Sequence, residues 1–217
     1  NIRLMAASSP ERGTLAVLLA AGAGTRFIGP THKLHAIARG RQVCAWALQA
    51  LLESSVGPVL IVEGATPIQL PPDLSKAALV SIETWGAPTH VHNPHWLSGL
   101  ASSVQCAVAH AQSLQMENIV FGLADQPCVT AQSWRDVAHA SAPLAVATYA
   151  GKRGNPVKVH AELWAQLPST GDEGARNLLR VHHQLVQEVA CSGSALDVDT
   201  VEDLARAEAL LTEYQAT

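Results

Sequence analysis

Charged residues are scarce in this chain. Acidic residues, lysine and arginine together make up 15% of its 217 residues and leave a formal net charge of −4. This balance gives no basis for binding nucleic acid or an anionic membrane through overall basicity. Hydrophobic residues make up 48%, which is more than a disordered chain carries. We therefore expect one well-buried α/β domain, with no nucleic-acid partner and no membrane partner.

Cysteine is also rare, and its four positions are far apart: Cys44, Cys106, Cys128 and Cys191. The absence of any C-x-x-C pair argues against a disulfide framework and against a structural zinc site. No apolar run reaches the roughly 18 residues that span a bilayer, and no basic-then-apolar segment opens the sequence. Reduced thiols in a cytoplasmic protein are the expectation that follows.

Short apolar runs alternate with helical patterns along the chain. Runs at residues 15–21, 58–62 and 118–124 are typical of strands buried on both faces, and a helical pattern at 43–53 joins the first two. This order predicts a right-handed βαβ unit. We expect a three-layer α/β/α domain with a Rossmann-like, mostly parallel sheet over residues 14–217, preceded by a loose extension over residues 1–13. A further strand is predicted at 77–83.

A glycine-bearing loop follows the first predicted strand. Gly22 and Gly24 let the backbone approach a ligand closely and free its N–H groups to point at phosphate oxygens. Arg26 and Lys33 add positive charge to the same loop. In an open α/β sheet, ligands bind beyond the carboxyl ends of the strands, where this loop lies. The pattern therefore indicates a phosphate-binding loop.

Two better-known phosphate loops do not fit these residues. A dinucleotide fingerprint requires glycine at position 27, where Phe27 stands. A Walker A loop requires a Lys-Ser or Lys-Thr pair where Pro30-Thr31 stands. An ordinary strand–helix turn with surface Arg and Lys remains the alternative to a phosphate loop.

Acidic residues stand at two further places. Asp125 directly follows the apolar run at 118–124. Because an unpaired carboxylate is rarely buried, packing does not explain an Asp there, and Asp125 is a candidate ligand for Mg²⁺. Asp197 and Asp199 share one face of an extended segment just before Thr200, which opens the last predicted helix with Asp203 in the position of a capping-box partner. Turn or helix capping is the alternative interpretation of all three acids.

Six motifs occur in order along most of the chain. They are LAAGAGTRF at 19–27 with KL at 33–34, NPHW and GLASS within 93–103, LADQP at 123–127, GKRGNP at 151–156, GDEGAR at 171–176, and DVDTVED at 197–203. Together they resemble the molybdopterin nucleotidyltransferases, and among these the molybdenum cofactor cytidylyltransferases most closely. The resemblance implies a sugar-nucleotidyltransferase-like fold of the nucleotide-diphosphosugar transferase (GT-A-like) type. The sequence departs from the family pattern at Ile28, Asn155 and Val201, which leaves the base and the acceptor open.

The resemblance also implies roles for individual residues. Arg26, Lys33 and Asp125 would be catalytic. Asp125 would hold Mg²⁺ together with Asp199 or Asp197, and Ser102 and Ser103 would lie near the base or ribose. The residues expected to bind the nucleotide phosphates or the acceptor are Ala20, Ala21, Gly22, Gly24, Thr25, Arg26 and Lys33 on the nucleotide side, and Asn155 and Arg176 on the acceptor side.

The function implied is a Mg²⁺-dependent transfer of NMP, with CMP favoured, from an NTP to a phosphorylated acceptor, with release of pyrophosphate. Molybdopterin is the favoured acceptor and CTP the favoured donor, and transient contact with a molybdoenzyme or its chaperone is expected. A sugar- or polyol-phosphate nucleotidyltransferase is one alternative. A non-catalytic nucleotide-binding maturation partner of molybdoenzymes is another. A zinc site at His90, His92 and His95 is disfavoured, because no cysteine or carboxylate joins them at ligand spacing.

Overall fold

The computed structural model describes residues 13–215, so the predicted extension over residues 1–13 lies, apart from Gly13, outside the described part. Within that part the strands are β1 (Thr14–Ala20), β2 (Ile37–Ala38), β3 (Arg41–Gln42), β4 (Val59–Glu63), β5 (Thr89–His92), β6 (Asn118–Leu123), β7 (Leu144–Tyr149), β8 (Lys152–His160) and β9 (Val186–Ala190). The helices are α1 (Val43–Ser54), α2 (Lys76–Trp85), α3 (Leu100–Ser113), α4 (Ala131–Ala138), α5 (Arg176–Val181) and α6 (Val201–Gln215). Short 3₁₀ turns cover Lys33–His35, Trp96–Ser98, Ala161–Gln166 and His183–Leu185.

Seven strands form the main sheet in the order β5-β4-β1-β6-β8-β7-β9, and β2 pairs with β3 in a separate ribbon. Among these seven described strands, β8 alone runs antiparallel to its neighbours. The mostly parallel sheet predicted from the sequence is therefore confirmed. The predicted βαβ unit is present as β1-α1-β4, in which Ala16 pairs with Val59.

Helices cover both faces of this sheet, as the buried apolar strands require. Alternate residues of β1 point to opposite faces, so Leu18 packs in the cluster with α1, α2 and α4, whereas Val17 packs in the cluster with α3 and α5. Both side chains are fully buried. Burying a side chain of this size contributes about 1.5–3 kcal/mol. The three-layer α/β/α prediction is confirmed.

The predicted strand at 77–83 was wrong, because this segment forms helix α2. The Ser75 side chain accepts a hydrogen bond from the Ala78 N–H at 3.2 Å and so caps the helix start. Ala78 and Ser81, three positions apart, are its buried residues, while Leu79 and Val80 are about half exposed. A spacing of three is typical of one face of a helix, but it cannot be recognised within a short, mostly apolar run. Among residues 13–215, no helix has the length and apolarity needed to cross a membrane.

The start of α6 holds one of the candidate acids in place. Thr200 Oγ1 accepts a hydrogen bond from the Asp203 N–H at 3.2 Å, and Asp203 Oδ2 accepts one from the Thr200 N–H at 3.0 Å. This reciprocal pair is a capping box in which Asp replaces the usual Glu. Just upstream, the Val198 N–H donates to the Asp125 carbonyl at 2.9 Å. Asp199 is therefore held next to the end of β6.

Candidate active site

The loop after β1 borders a cavity of about 440 Å³ at the carboxyl edge of the sheet. The predicted nucleotide-binding residues that line it are Ala20, Ala21, Gly22, Gly24, Thr25, Arg26 and Lys33. Gly24 has a φ of +63°, and a Cβ there would lie 3.0 Å from His32 Nε2 and 3.2 Å from Lys33 Cγ. Only glycine combines this conformation with so close an approach.

His32 ties the two ends of this loop together. Its Nε2 lies 3.1 Å from the Gly22 carbonyl oxygen, and its Nδ1 accepts a hydrogen bond from the Leu34 N–H at 3.3 Å. These contacts assign the neutral tautomer with the proton on Nε2. Burial lowers the pKa of His32, which favours the same neutral form. His32 belongs to none of the predicted site residues, and only its position beside Lys33 could have indicated it.

Lys33 lies between two carboxylates from distant parts of the chain. Its Nζ is 2.5 Å from Asp125 Oδ2 and 2.8 Å from Asp199 Oδ1, and its side chain is 10% exposed. Burial lowers the pKa of Lys33, but the charges of Asp125 and Asp199 outweigh it and raise the pKa overall. The lysine is therefore a buried ammonium that holds the loop after β1 against the segments after β6 and before α6.

Arg26 approaches the same cluster from the solvent side. Its Nη2 lies 2.8 Å from Asp199 Oδ2, while its side chain as a whole is 75% exposed. An exposed ion pair of this kind contributes little to stability, with a typical value of about 0–1 kcal/mol. Arg26 can consequently exchange its partner for a bound anion at low cost.

Asp197 and Asp199, the two candidates for the second metal ligand, have different surroundings. Asp199 lines the cavity and contacts Lys33 and Arg26. Asp197 Oδ1 instead accepts a hydrogen bond from Gln126 Nε2 at 2.8 Å, and Asp197 is not among the cavity-lining residues. Burial, together with the charge of Asp125, raises the pKa of Asp197.

The donor set at this cluster fits a divalent cation that brings other ligands with it. Asp125 Oδ1 is buried and has no hydrogen-bond partner among the described residues. Within residues 13–215, no group of three or more His, Cys, Asp or Glu side chains is arranged to hold a metal ion. Two carboxylates are what Mg²⁺ takes from a protein when substrate phosphates complete its shell. The residues present therefore fit Mg²⁺ bound together with a nucleotide.

The opposite wall of the cavity is formed by the segment around α3. Ser103 lines the cavity, as do Trp96, Leu97 and Leu100. Ser102 does not: its hydroxyl donates to the Gly99 carbonyl at 2.8 Å and accepts a hydrogen bond from Asn93 Nδ2 at 2.8 Å. Asn93 is buried, and it also donates to Ser103 Oγ at 3.0 Å. Ser102 thus orders the wall rather than facing a ligand.

A second cavity, of about 270 Å³, adjoins the first. Both are bordered by Leu19, Leu100, Leu123 and Asp172. Asn155 and Arg176, the predicted acceptor-side residues, line the second cavity. Arg153 and Arg180 line it as well; Arg153 belongs to the GKRGNP motif, whereas Arg180 was not a predicted site residue. Glu173 also lines this cavity, and so do the apolar side chains of Val104, Phe121, Val146, Val157 and Leu179.

The two cavities together suit a reaction between two anions. The first combines loop amides, two cationic side chains and the carboxylates of Asp125, Asp199 and Asp172, which is a set for polyphosphate with a divalent cation. The second combines three arginines with apolar surface and with the carboxylates of Asp172 and Glu173, and its arginines suit an anionic organic molecule. Leu19 and Leu123 pair in the sheet register and lie on the border between the cavities.

Comparison with known proteins agrees with this geometry. A family profile described as the MobA-like NTP transferase domain matches residues 16–188. The sequence is 29% identical over 204 residues to the purine catabolism protein PucB of Bacillus subtilis, covering 87% of this chain and 93% of PucB.

Solved structures with the same fold include a nucleotidyl transferase from Methanothermobacter thermautotroptrophicus, Mth528. It is 20% identical with a TM-score of 0.73, over 93% of this chain and 99% of that one. Rv0371c from Mycobacterium tuberculosis is 24% identical with a TM-score of 0.71, over 92% of this chain and 100% of that one. Another structure of Rv0371c, described as a complex with manganese, is 22% identical with a TM-score of 0.66, over 89% of this chain and 97% of that one. At these identities the similarity establishes the fold.

Proposed function

Because this chain belongs to the family of MobA-like NTP transferase domains and is a nucleotidyltransferase, we propose that it uses Mg²⁺ to transfer NMP from an NTP to a phosphorylated acceptor, with release of pyrophosphate. CTP is the favoured donor, and molybdopterin or its molybdenum form is the favoured acceptor. Both follow from the motif resemblance, and they go beyond what family membership alone establishes.

The observation that carries the proposal is the cluster of Lys33, Asp125 and Asp199 at the glycine loop. Lys33 Nζ contacts both carboxylates, at 2.5 and 2.8 Å, within the cavity that the loop borders. A tight ion-pair cluster at the carboxyl end of central strands contributes little that a packed core would not supply better. Its position beside the loop amides is explained by a triphosphate that binds with a cation.

The chain's own groups bind and orient the triphosphate. Residues 22–25 border the cavity, and the N–H groups of such a glycine-bearing loop suit phosphate oxygens. Arg26 and Lys33 would stabilise the charge that develops on the departing pyrophosphate. Holding the α-phosphorus in line with the attacking oxygen supplies much of the rate, since orientation removes an entropic barrier.

Asp125 and Asp199 are the residues that we propose hold the metal ion. When bound there, Mg²⁺ neutralises charge on the α-phosphate and the leaving group. The manganese complex of the structurally similar Rv0371c supports a divalent cation in this fold. Asp197 is proposed to orient the segment through Gln126 instead, since its carboxylate is already engaged there.

We propose that the second cavity receives the acceptor. Arg153, Arg176 and Arg180 offer charge-assisted hydrogen bonds to its anionic groups, and the apolar lining suits a planar ring. A phosphate monoester is largely ionised at neutral pH and attacks without a general base. Transient contact with a molybdoenzyme or its chaperone, and a location in the cytoplasm, complete the proposal. The four free cysteines are consistent with that location.

Thermal unfolding with CTP, GTP and ATP, each with and without Mg²⁺, tests the nucleotide assignment. A ligand present at 100 times its Kd stabilises the folded state by about 2.7 kcal/mol. We expect a Mg²⁺-dependent rise in Tm with CTP that exceeds the rise with GTP or ATP. Mg²⁺ without nucleotide is the control. No shift with any nucleotide would contradict the nucleotide site, whereas a shift without turnover would favour a non-catalytic nucleotide-binding partner of molybdoenzymes.

A turnover assay tests the acceptor assignment. Pyrophosphate release from CTP is measured with molybdopterin, a sugar phosphate and a polyol phosphate in separate reactions. Of the three acceptors, we expect only molybdopterin to support pyrophosphate release from CTP. Release with a sugar phosphate or polyol phosphate, and none with molybdopterin, would replace the acceptor and leave the nucleotide assignment intact.

A further inference from the structure

Lys33 occupies the position between the two carboxylates where a divalent cation would bind. Its Nζ contacts Asp125 Oδ2 and Asp199 Oδ1, and Arg26 contacts the other oxygen of Asp199 at 2.8 Å. Asp125 Oδ1 is buried, so an ion held by Asp125 and Asp199 from the cavity side would meet the two oxygens that Lys33 contacts. Lysine and metal ion therefore compete for one place.

The charges of the cluster explain why a free metal ion would lose this competition. Two carboxylates and two cationic side chains, Lys33 and Arg26, leave the group with no net charge to attract a cation. Displacing Lys33 without providing another anion would strand a buried ammonium, which is costly. A triphosphate supplies that anion, because its oxygens accept hydrogen bonds from both cationic side chains while its metal ion takes their places on the carboxylates.

We propose that Lys33 makes this site specific for the metal–nucleotide complex: in the nucleotide-free protein it holds Asp125 and Asp199 and excludes free divalent cations, and a bound triphosphate draws it away. The proposal rests on the proposed function for the identity of the triphosphate. The exclusion of free cations by Lys33, however, is a property of the nucleotide-free protein. Lys33 thus has a second task besides binding phosphate.

The test measures Mn²⁺ binding to the nucleotide-free full chain. The readout is the decrease in the electron paramagnetic resonance signal of free Mn²⁺ as the protein binds the ion. Lys33→Met keeps the length of the side chain and removes its charge. We expect Lys33→Met to bind Mn²⁺ at least about tenfold more tightly than the wild-type chain, because the competing ammonium is gone. The same variant binds CTP in the presence of Mg²⁺ more weakly than wild type. These opposite directions distinguish competition from simple damage to the site.

Lys158→Met is the matched control for removing a buried lysine. The Lys158 amine donates to the Ala140 carbonyl, and Lys158 lines neither cavity. It should leave Mn²⁺ binding unchanged. Adding Asp125→Asn to Lys33→Met should abolish the gained Mn²⁺ binding, which assigns that binding to this cluster. Folded Lys33→Met that binds Mn²⁺ no more tightly than wild type overturns the proposal.

The wild-type chain provides a measurement that does not depend on a variant folding. Without nucleotide it should bind Mn²⁺ only weakly, and tight binding that Asp125→Asn abolishes would also overturn the proposal. The two hypotheses fail separately. If no NTP binds to wild type but Lys33→Met gains Mn²⁺ affinity, the proposed function fails and the exclusion by Lys33 stands. If CTP binds to wild type but Lys33→Met gains no Mn²⁺ affinity, the nucleotide assignment stands and the exclusion by Lys33 fails.

Discussion

The two cavities lie side by side but differ in how their charges are held. In the first, Lys33 is buried and bonded to two carboxylates, and His32 holds the loop around it. In the second, Arg176 and Arg180 are exposed on the short helix α5, and Arg153 pairs with Glu188 at 2.7 Å near the surface. The first is a connected network, whereas the second is a set of separate side chains over an apolar lining.

The two arrangements should respond differently to substitution. A connected network tolerates few changes, because removing one member leaves another buried charge without its partner. Separate exposed arginines can be exchanged one at a time, with moderate changes in affinity. We therefore expect substitutions in the first cavity to affect the chemical step strongly, and substitutions in the second to affect acceptor binding more than nucleotide binding.

Asp125→Ala should have the largest effect. Loss of a proposed metal ligand removes charge stabilisation from the transition state, and kcat should fall by about 10³-fold or more. The measurement is pyrophosphate release under saturating substrates, with thermal unfolding to verify the fold. A variant that keeps near-normal turnover would exclude Asp125 as a metal ligand and remove the contrast between the cavities.

Asp199→Asn and Asp197→Asn form a pair that compares the two candidates for the second ligand. Asp199→Asn should reduce kcat by about 10²-fold or more, because it alters the group that contacts Lys33 and Arg26. Asp197→Asn should cost about tenfold, the lower end of the range for a residue that acts through other groups. Steady-state kinetics at several Mg²⁺ concentrations measure both. Equal losses, or a larger loss for Asp197→Asn, would assign Asp197 instead.

Arg176→Ala should act on the acceptor alone. A charge-assisted hydrogen bond to an anionic group contributes about 1.5–3 kcal/mol, so the KM for the acceptor should rise about tenfold or more. The KM for CTP should stay within about twofold, because Arg176 lines the second cavity and not the first. Arg206→Ala, an exposed change on α6, is the control. A parallel rise in both KM values would mean that the cavities are not separate sites.

His32→Ala should have the smallest effect, and that effect should depend on pH. Losing two hydrogen bonds costs about 1 kcal/mol each, which lowers Tm by a few degrees in a chain of this size. Since burial lowers the pKa of His32, the unfolded chain binds its proton more readily. The contribution of His32 is therefore complete above its ordinary pKa of 6.5 and declines as pH falls from there toward its folded-state pKa.

The measurement is the Tm difference between wild type and His32→Ala at pH 7.5 and pH 5.5, at matched ionic strength, conditions about one unit either side of the ordinary histidine pKa. The difference should be smaller at the lower pH. His92→Ala, at an exposed position on the edge strand β5, is the control for replacing a histidine. A pH-independent difference would indicate that the ring acts by packing and not through its neutral hydrogen bonds.

Local patterns predicted those parts of the molecule that depend on neighbours in sequence. The buried strands β1, β4 and β6 and helix α1 followed from apolar runs and helical spacing. The loop at Gly22 and Gly24 and the carboxylate at Asp125 followed from their positions just after strands. Helix α2 was missed because a short apolar run fits a strand and a helix alike, and burial against α1 decides between them.

The βαβ order, the family motifs and the kinds of side chain at the carboxyl edge of the sheet can be read from the sequence, because they depend on local spacing and residue chemistry. Tertiary structure alone decided that Lys33 meets Asp125, 92 positions away, and Asp199, 166 positions away, while Asp197 turns to Gln126. It also brought three arginines from two segments of the chain to one cavity. Such contacts between distant segments depend on how the parallel strands are ordered in the sheet, which periodicity does not specify.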